Sequence, residues 1–127
     1  MKITQKRSSS VVEGMLVKFG TSNIVEPYDG TGEPAGIAQN CRVVQIQNDP
    51  DQPAESIDVC ELVIEGFCNV LIDSAASSQG ADFGASTTAG SLTVGSTPVL
   101  GHVLPQPWSD TTDRVAGLMP ALIHMVG

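Results

Sequence analysis

The run IDVCELVIEGFCNVLI, Ile57 to Ile72, decides the fold class. Its even positions read Cys60, Leu62, Ile64, Cys68, Val70 and Ile72, and its odd positions include Glu61, Glu65 and Asn69. Side chains repeating every second residue belong to a β-strand with one face on a core. Gly66 interrupts the pattern and predicts a bulge or bend. No segment of the chain sustains a 3.6-residue period, so the class is mainly β.

Short strand signals surround this run. Val11-Val12 and Met15 to Phe19 are apolar pieces split by Gly14, which fits a bent first strand. Asn23 to Pro27 follows a Thr-Ser turn. Tyr28-Asp-Gly-Thr-Gly32 supplies Asp-Gly turn chemistry that predicts pairing of its flanking strands. Ala35 to Ala38 is built from small residues and allows close backbone approach. Arg42 to Gln47 alternates as a half-buried strand. Further strands are expected over Leu92–Val94, Val99–Leu104 and Val115–Met125, the last broken at Pro120. Asp73 to Gly80 fits one short helical turn with Asp73 as its N-cap. Phe19-Gly-Thr-Ser is echoed by Phe83-Gly-Ala-Ser, and Gly36 by Gly101, which fits two similar β units or a coincidence in a Gly/Ser/Thr-rich chain.

The chain has 127 residues, one domain's worth. Aromatics make up only 4%, so the core must be built largely from Val, Ile, Leu and Ala. Six basic residues against fourteen acidic ones give a net charge of −8, which disfavours general nucleic-acid binding. Three of the bases, Lys2, Lys6 and Arg7, fall in the first seven residues with no acid among them. A basic tip on an acidic body suits docking onto an acidic partner. A frayed, solvated terminus is the plainer reading. The odd set Cys41, Cys60 and Cys68 has no Cys-x-x-Cys spacing, which predicts unpaired thiols in a reducing compartment. No leader-like or membrane-spanning apolar run occurs, so the protein is expected to be made in the cytoplasm without membrane contact.

The chemistry-bearing patterns are weak. Gly30-Thr-Gly-Glu-Pro-Ala-Gly36 lacks the Gly-x-Gly-x-x-Gly spacing, and a strand rather than a helix follows it. His102 and His124 have no metal-ligand neighbours at productive spacing. The acidic excursion Asn48-Asp-Pro-Asp-Gln-Pro53 has proline where a calcium loop needs glycine. No nucleophile elbow or tuned carboxylate pair is visible, so neither a catalytic residue nor a cofactor or metal is expected. Trp108, the single tryptophan, lies in the excursion Pro105 to Thr112. It is either a lid on the barrel end or an interface anchor.

Gly14-Met-Leu-Val-Lys18, Asn23-Ile-Val25, Gly36-Ile-Ala38 and Ser86-Thr-Thr-Ala-Gly90 together resemble the capsid cement, or head decoration, proteins of tailed phages. Ile24 to Ala38, with its aromatic-Asp-Gly-Thr turn leading into a Gly-Ile strand, is similar to the lambda-type members. The resemblance spans roughly residues 11–104, and the 48–55 and Trp108 excursions depart from it. It implies a compact, barrel- or sandwich-like (β-tulip-like) domain over 11–127 with an extended N-terminal arm over 1–10. It also implies a homotrimer that binds the major capsid protein on the outside of the expanded head, as part of the virion. Lys2, Ile3, Lys6, Arg7 and Trp108 are then the expected partner-binding residues. The competing functions are the base of a head fibre or adaptor, and a small ligand-binding barrel without catalysis.

Overall fold

A computed structural model describes residues 2–47 and 49–125, with the side chains of Lys2 and Ile3 outside the description. Met1, expected in the arm, and Asn48, expected in the acidic excursion, lie outside the described residues. The mainly β class holds. Among the described residues, ten strands form two sheets: β1 (Lys2–Lys6), β2 (Leu16–Phe19), β3 (Val25–Pro27), β4 (Gly36–Ile46), β5 (Glu55–Val63), β6 (Glu65–Ile72), β7 (Ala81–Ala85), β8 (Leu92–Val94), β9 (Gly101–Val103) and β10 (Gly117–His124). The first sheet is ordered β1-β5-β4-β2-β3, and the second closes as a barrel in the order β10-β6-β8-β7-β9.

The long period-2 run feeds both sheets. It serves the first as β5, breaks at Ile64 and enters the barrel as β6. Of its even positions, Cys60, Leu62, Val70 and Ile72 are buried as expected, while Ile64 and Cys68 are half-buried and the odd-position Val59 and Val63 are buried as well. The break falls two residues before Gly66, where the chain leaves one sheet for the other.

Two apolar clusters explain why β2 and β4 are apolar in consecutive residues. Leu16 and Ile37 point into the barrel cluster with Val70, Phe83 and Met119, while Val17 and Ala38 point into a second cluster with Val11, Cys60 and Leu62. Adjacent side chains of a strand face opposite ways, so a strand between two cores must be apolar on both faces. The small residues at Gly36 and Gly101 serve this internal packing. A Cβ on Gly36 would stand 3.1 Å from the Val63 carbonyl oxygen, and one on Gly101 would meet the Phe83 ring at 2.6 Å. Both close approaches lie inside one chain, not between chains.

Several local expectations are corrected. The Tyr28–Gly32 turn does not pair its flanking strands, because β2 lies between them, bonded to β3 on one side and β4 on the other. The tight hairpin is β2–β3 instead, where Ser22 and Asn23 have φ of 59° and 60°, the twist that two-residue hairpin loops favour. Residues 73–80 form no helix: Ala76 bridges to Arg114, and the Asp73 carboxylate accepts from the Ser86 hydroxyl instead of capping a turn. β10 runs unbroken through Pro120. The Pro120 carbonyl accepts from the Leu104 N–H, so its imide nitrogen faces the same side, where β9 has already ended at Val103. The Phe19/Phe83 echo is not a structural repeat. Phe19 pairs with Val25 in the first sheet and is half-exposed, while the buried Phe83 pairs with Gly101 in the barrel.

The segment expected as an arm is extended, yet it belongs to the first sheet. β1 pairs antiparallel with β5 from Lys2↔Val63 to Lys6↔Val59. Beyond it Arg7 bridges in parallel to Val25 of β3, and the Ser8 N–H donates to the Val25 carbonyl at 2.8 Å. The two edges of the sheet therefore meet. The Arg7 guanidinium donates to the carbonyls of Val59 (2.8 Å), Val11 (3.1 Å) and Arg42 (3.2 Å), with Asp58 at 3.8 Å. Replacing Arg7 strands three acceptors at once. We expect Arg7→Ala to lower the unfolding free energy by about 2–4 kcal/mol in urea titrations, and exposed Lys6→Ala to change it by less than about 0.5.

Candidate interaction surface

The five residues expected to bind a partner are not equivalent. Arg7 is engaged inside the first sheet and is unavailable as an outward cation. Lys6 is exposed on β1, and Lys2 and Ile3 continue that edge strand. Trp108 is 97% exposed at the turn of the loop between β9 and β10. It covers nothing in this chain, so the lid reading fails. Lys6 lies on an edge strand of the first sheet, and Trp108 lies in a loop between two strands of the barrel.

Sequence reasoning missed a larger feature, on the outer face of β6 and β10. Met119, Ala121 and Ile123 point into the barrel, which turns Leu118, Pro120 and Leu122 outward. Opposite them across the ladder stand Leu71, Asn69 and Phe67. Phe67 is 70% exposed and Leu118 52%. Two shallow grooves lie along this band. One of about 320 Å³ runs beside Leu118 and Val115 with Arg114 and Gln106, and one of about 240 Å³ runs between Phe67, Leu104 and Pro120. A signal was present in the sequence, since Phe67 and Leu71 occupy odd positions of the period-2 run. An apolar odd face on a strand already buried on its even face marks either a second core or an exposed patch.

Gln39 fixes the band to the first sheet. Its side-chain amide donates to the Asn69 carbonyl at 2.6 Å and accepts from the Asn69 N–H at 3.3 Å, standing in for a neighbouring strand. Gly14 does the same through its carbonyl, which accepts from the Leu71 N–H at 2.9 Å.

Charge gathers elsewhere. Lys18 donates to Asp29 at 2.9 Å and to the Thr31 hydroxyl at 3.0 Å, with Glu26 at 3.7 Å. Hydrogen bonds from the Thr31 hydroxyl and then from Lys18 hold the Asp29 carboxyl well below the usual carboxylate range, and the bond to Asp29 raises Lys18. The network ties the 28–35 loop onto β2. Among the described residues, no group of three or more His, Cys, Asp or Glu is placed to hold a metal ion.

None of the three cysteines forms a disulfide. A bulge between Gln39 and Arg42 brings Cys41 toward Cys60, and the Glu13 carboxylate accepts the Asn40 and Cys41 N–H groups there at 2.8 and 2.9 Å. Burial pushes the Cys60 thiol up to about 11 and raises Cys41 as well. No protein-family model matches this chain, and no curated protein matches it significantly.

Two outcomes follow from these groups. Asp29 is depressed in the fold, so its contribution is present above the unfolded carboxylate value of about 4 and is lost as pH falls. The stability difference between wild type and Asp29→Asn at neutral pH should therefore shrink in urea titrations run below that value. Cys60 is raised, so its contribution is present below an unfolded thiol value of about 8.5 and is lost as pH rises toward 11. Alkaline destabilisation of the wild type should exceed that of Cys60→Ala, and native Cys60 should resist a thiol-reactive dye at neutral pH.

Proposed function

We propose that this chain is a structural virion protein that binds the outer surface of a tailed-phage capsid and cements the expanded head. It carries out no catalysis, and its partners are the major capsid protein and further copies of itself in a trimer. One observation carries the reading beyond the family resemblance. Of the five aromatic residues, Trp108, Phe67 and Phe19 are half to fully exposed, and only Phe83 is fully buried. A chain poor in aromatic side chains leaves three of its five largely open to solvent, where a complex would cover them. The barrel interior is filled by Phe83, Leu92, Met119 and Ile123, which disfavours the ligand-binding barrel. A head-fibre base uses the same surfaces and differs only in what it carries outward.

The test is a binding titration onto expanded heads that lack decoration, with occupancy read by quantitative gel. Trp108→Ala is expected to weaken binding by about tenfold or more, an anchor-sized effect, with no change in melting temperature. Raised salt should weaken binding further if the exposed Lys6 contributes. Unchanged occupancy for the Trp108 variant would remove that residue from the contact, and no binding of the wild type to any expanded head would overturn the reading itself.

A further inference from the structure

Cys41 and Cys60 meet where β4 and β5 lose register. Gln39 pairs with Glu61 and Arg42 with Val59, so Asn40 and Cys41 together stand opposite the single residue Cys60. Two residues against one is the count of a β-bulge. Cys60 is fully buried in the cluster of Val11, Val17 and Leu62, and the half-buried Cys41 packs against the same cluster. The two thiols are hydrogen-bonded to each other. Opposed residues of paired strands stand about 4.5–5.5 Å apart at Cα, inside the roughly 4.4–6.8 Å that a disulfide spans. Cys68 packs on the other cluster, in the barrel.

The backbone at the bulge is held in a way that lets it give. The Asn40 and Cys41 N–H groups donate to the Glu13 carboxylate at 2.8 and 2.9 Å, and not to β5. Cys41 can therefore move toward β5 without losing a ladder bond from its own N–H. Arg7 and Arg42 stand near enough to favour a thiolate on Cys60, against its burial and the charge of a Cys41 thiolate.

We propose that Cys41 and Cys60 are a modification site, a dithiol that closes to a disulfide with a small disulfide of the glutathione class as oxidant. The half-exposed partner reacts first. The Cys41 thiol loses its proton to water and attacks one sulfur of the small disulfide. That S–S bond breaks, a mixed disulfide forms on Cys41, and one small thiolate leaves and is protonated. The Cys41 sulfur is now uncharged, so it no longer repels a thiolate on Cys60. Cys60 gives up its proton and attacks the Cys41 sulfur, the mixed bond breaks, and the second small thiolate leaves and is protonated. The protein loses two electrons and two protons, and one small disulfide becomes two thiols. Burial raises both thiols, which slows the first step at neutral pH. The new bond closes the loop from 41 to 60, tying β4 to β5 beside the Arg7 guanidinium and restricting the unfolded chain. The inference rests on β4 and β5 alone and does not depend on the capsid reading.

The test incubates the full native chain overnight in buffers of rising glutathione disulfide to glutathione ratio, followed by acid quench, alkylation in denaturant and mass mapping. Wild type is expected to lose two hydrogen atoms and to yield a linked Cys41–Cys60 peptide. Its melting temperature should rise by about 5–15 °C, and dithiothreitol should reverse both changes. Cys68→Ser should alter neither result. Cys60→Ala should stop at a glutathione adduct on Cys41. Cys41→Ser should leave Cys60 unmodified, because a fully buried sulfur is reached only from its neighbour. Cys41 is half-buried, so its variant keeps the test valid if Cys60→Ala fails to fold. A wild type that keeps all three thiols at the most oxidising ratio, or that stops at the Cys41 adduct, overturns the proposal. A disulfide that uses Cys68, or a Cys41–Cys60 bond that forms only in urea, overturns it as well.

Discussion

The first sheet depends on the guanidinium of Arg7. Five strands that end in two free edges present unpaired backbone to solvent and to other chains. Here the segment after β1 turns back to β3 through a backbone bridge to Val25, and the Arg7 guanidinium ties that segment to β4, β5 and the Val11 carbonyl. Its planar fork satisfies three carbonyls from three separate stretches, which the point charge of a lysine cannot do in one geometry. The cluster of Val11, Val17, Val25, Ala38, Cys60 and Leu62 is buried beside it. One of the three bases that make the N-terminus look like a docking tip is therefore a structural part.

The two sheets share material instead of merely touching. Leu16 and Ile37 leave the first sheet to complete the barrel cluster, and Gln39 and Gly14 hydrogen-bond the backbone of β6 where β8 does not reach it. What remains distinctive is on the outside, in the exposed aromatics and the band along β10.

Sequence showed the fold class because the alternation in Ile57–Ile72 is local, and it showed the cysteine states because an odd count without paired spacing leaves few options. It did not show where the chain changes sheets. Ile64 looks like any other apolar position of the run, and its role is fixed by strands more than twenty residues away. The insertion of β2 between β3 and β4 was hidden for the same reason, since an Asp-Gly turn specifies a reversal but not the neighbour. Pro120 was misread because its tolerance depends on β9 ending one residue early, a fact of register. Of the residues expected to bind a partner, Trp108 is exposed, which agrees with its Pro-rich context. The engagement of Arg7 was not legible, because its three acceptors are backbone atoms scattered from residue 11 to residue 59.

The central claim is that this is a protein of surfaces, built to lie on a larger assembly. A cryo-electron reconstruction of phage heads carrying the protein tests it most directly. The account predicts density of this two-sheet shape on the outer face of the expanded shell, with the Trp108 loop against a neighbouring chain. Heads that carry no such density, with the protein recovered only from the soluble fraction of infected cells, would contradict it.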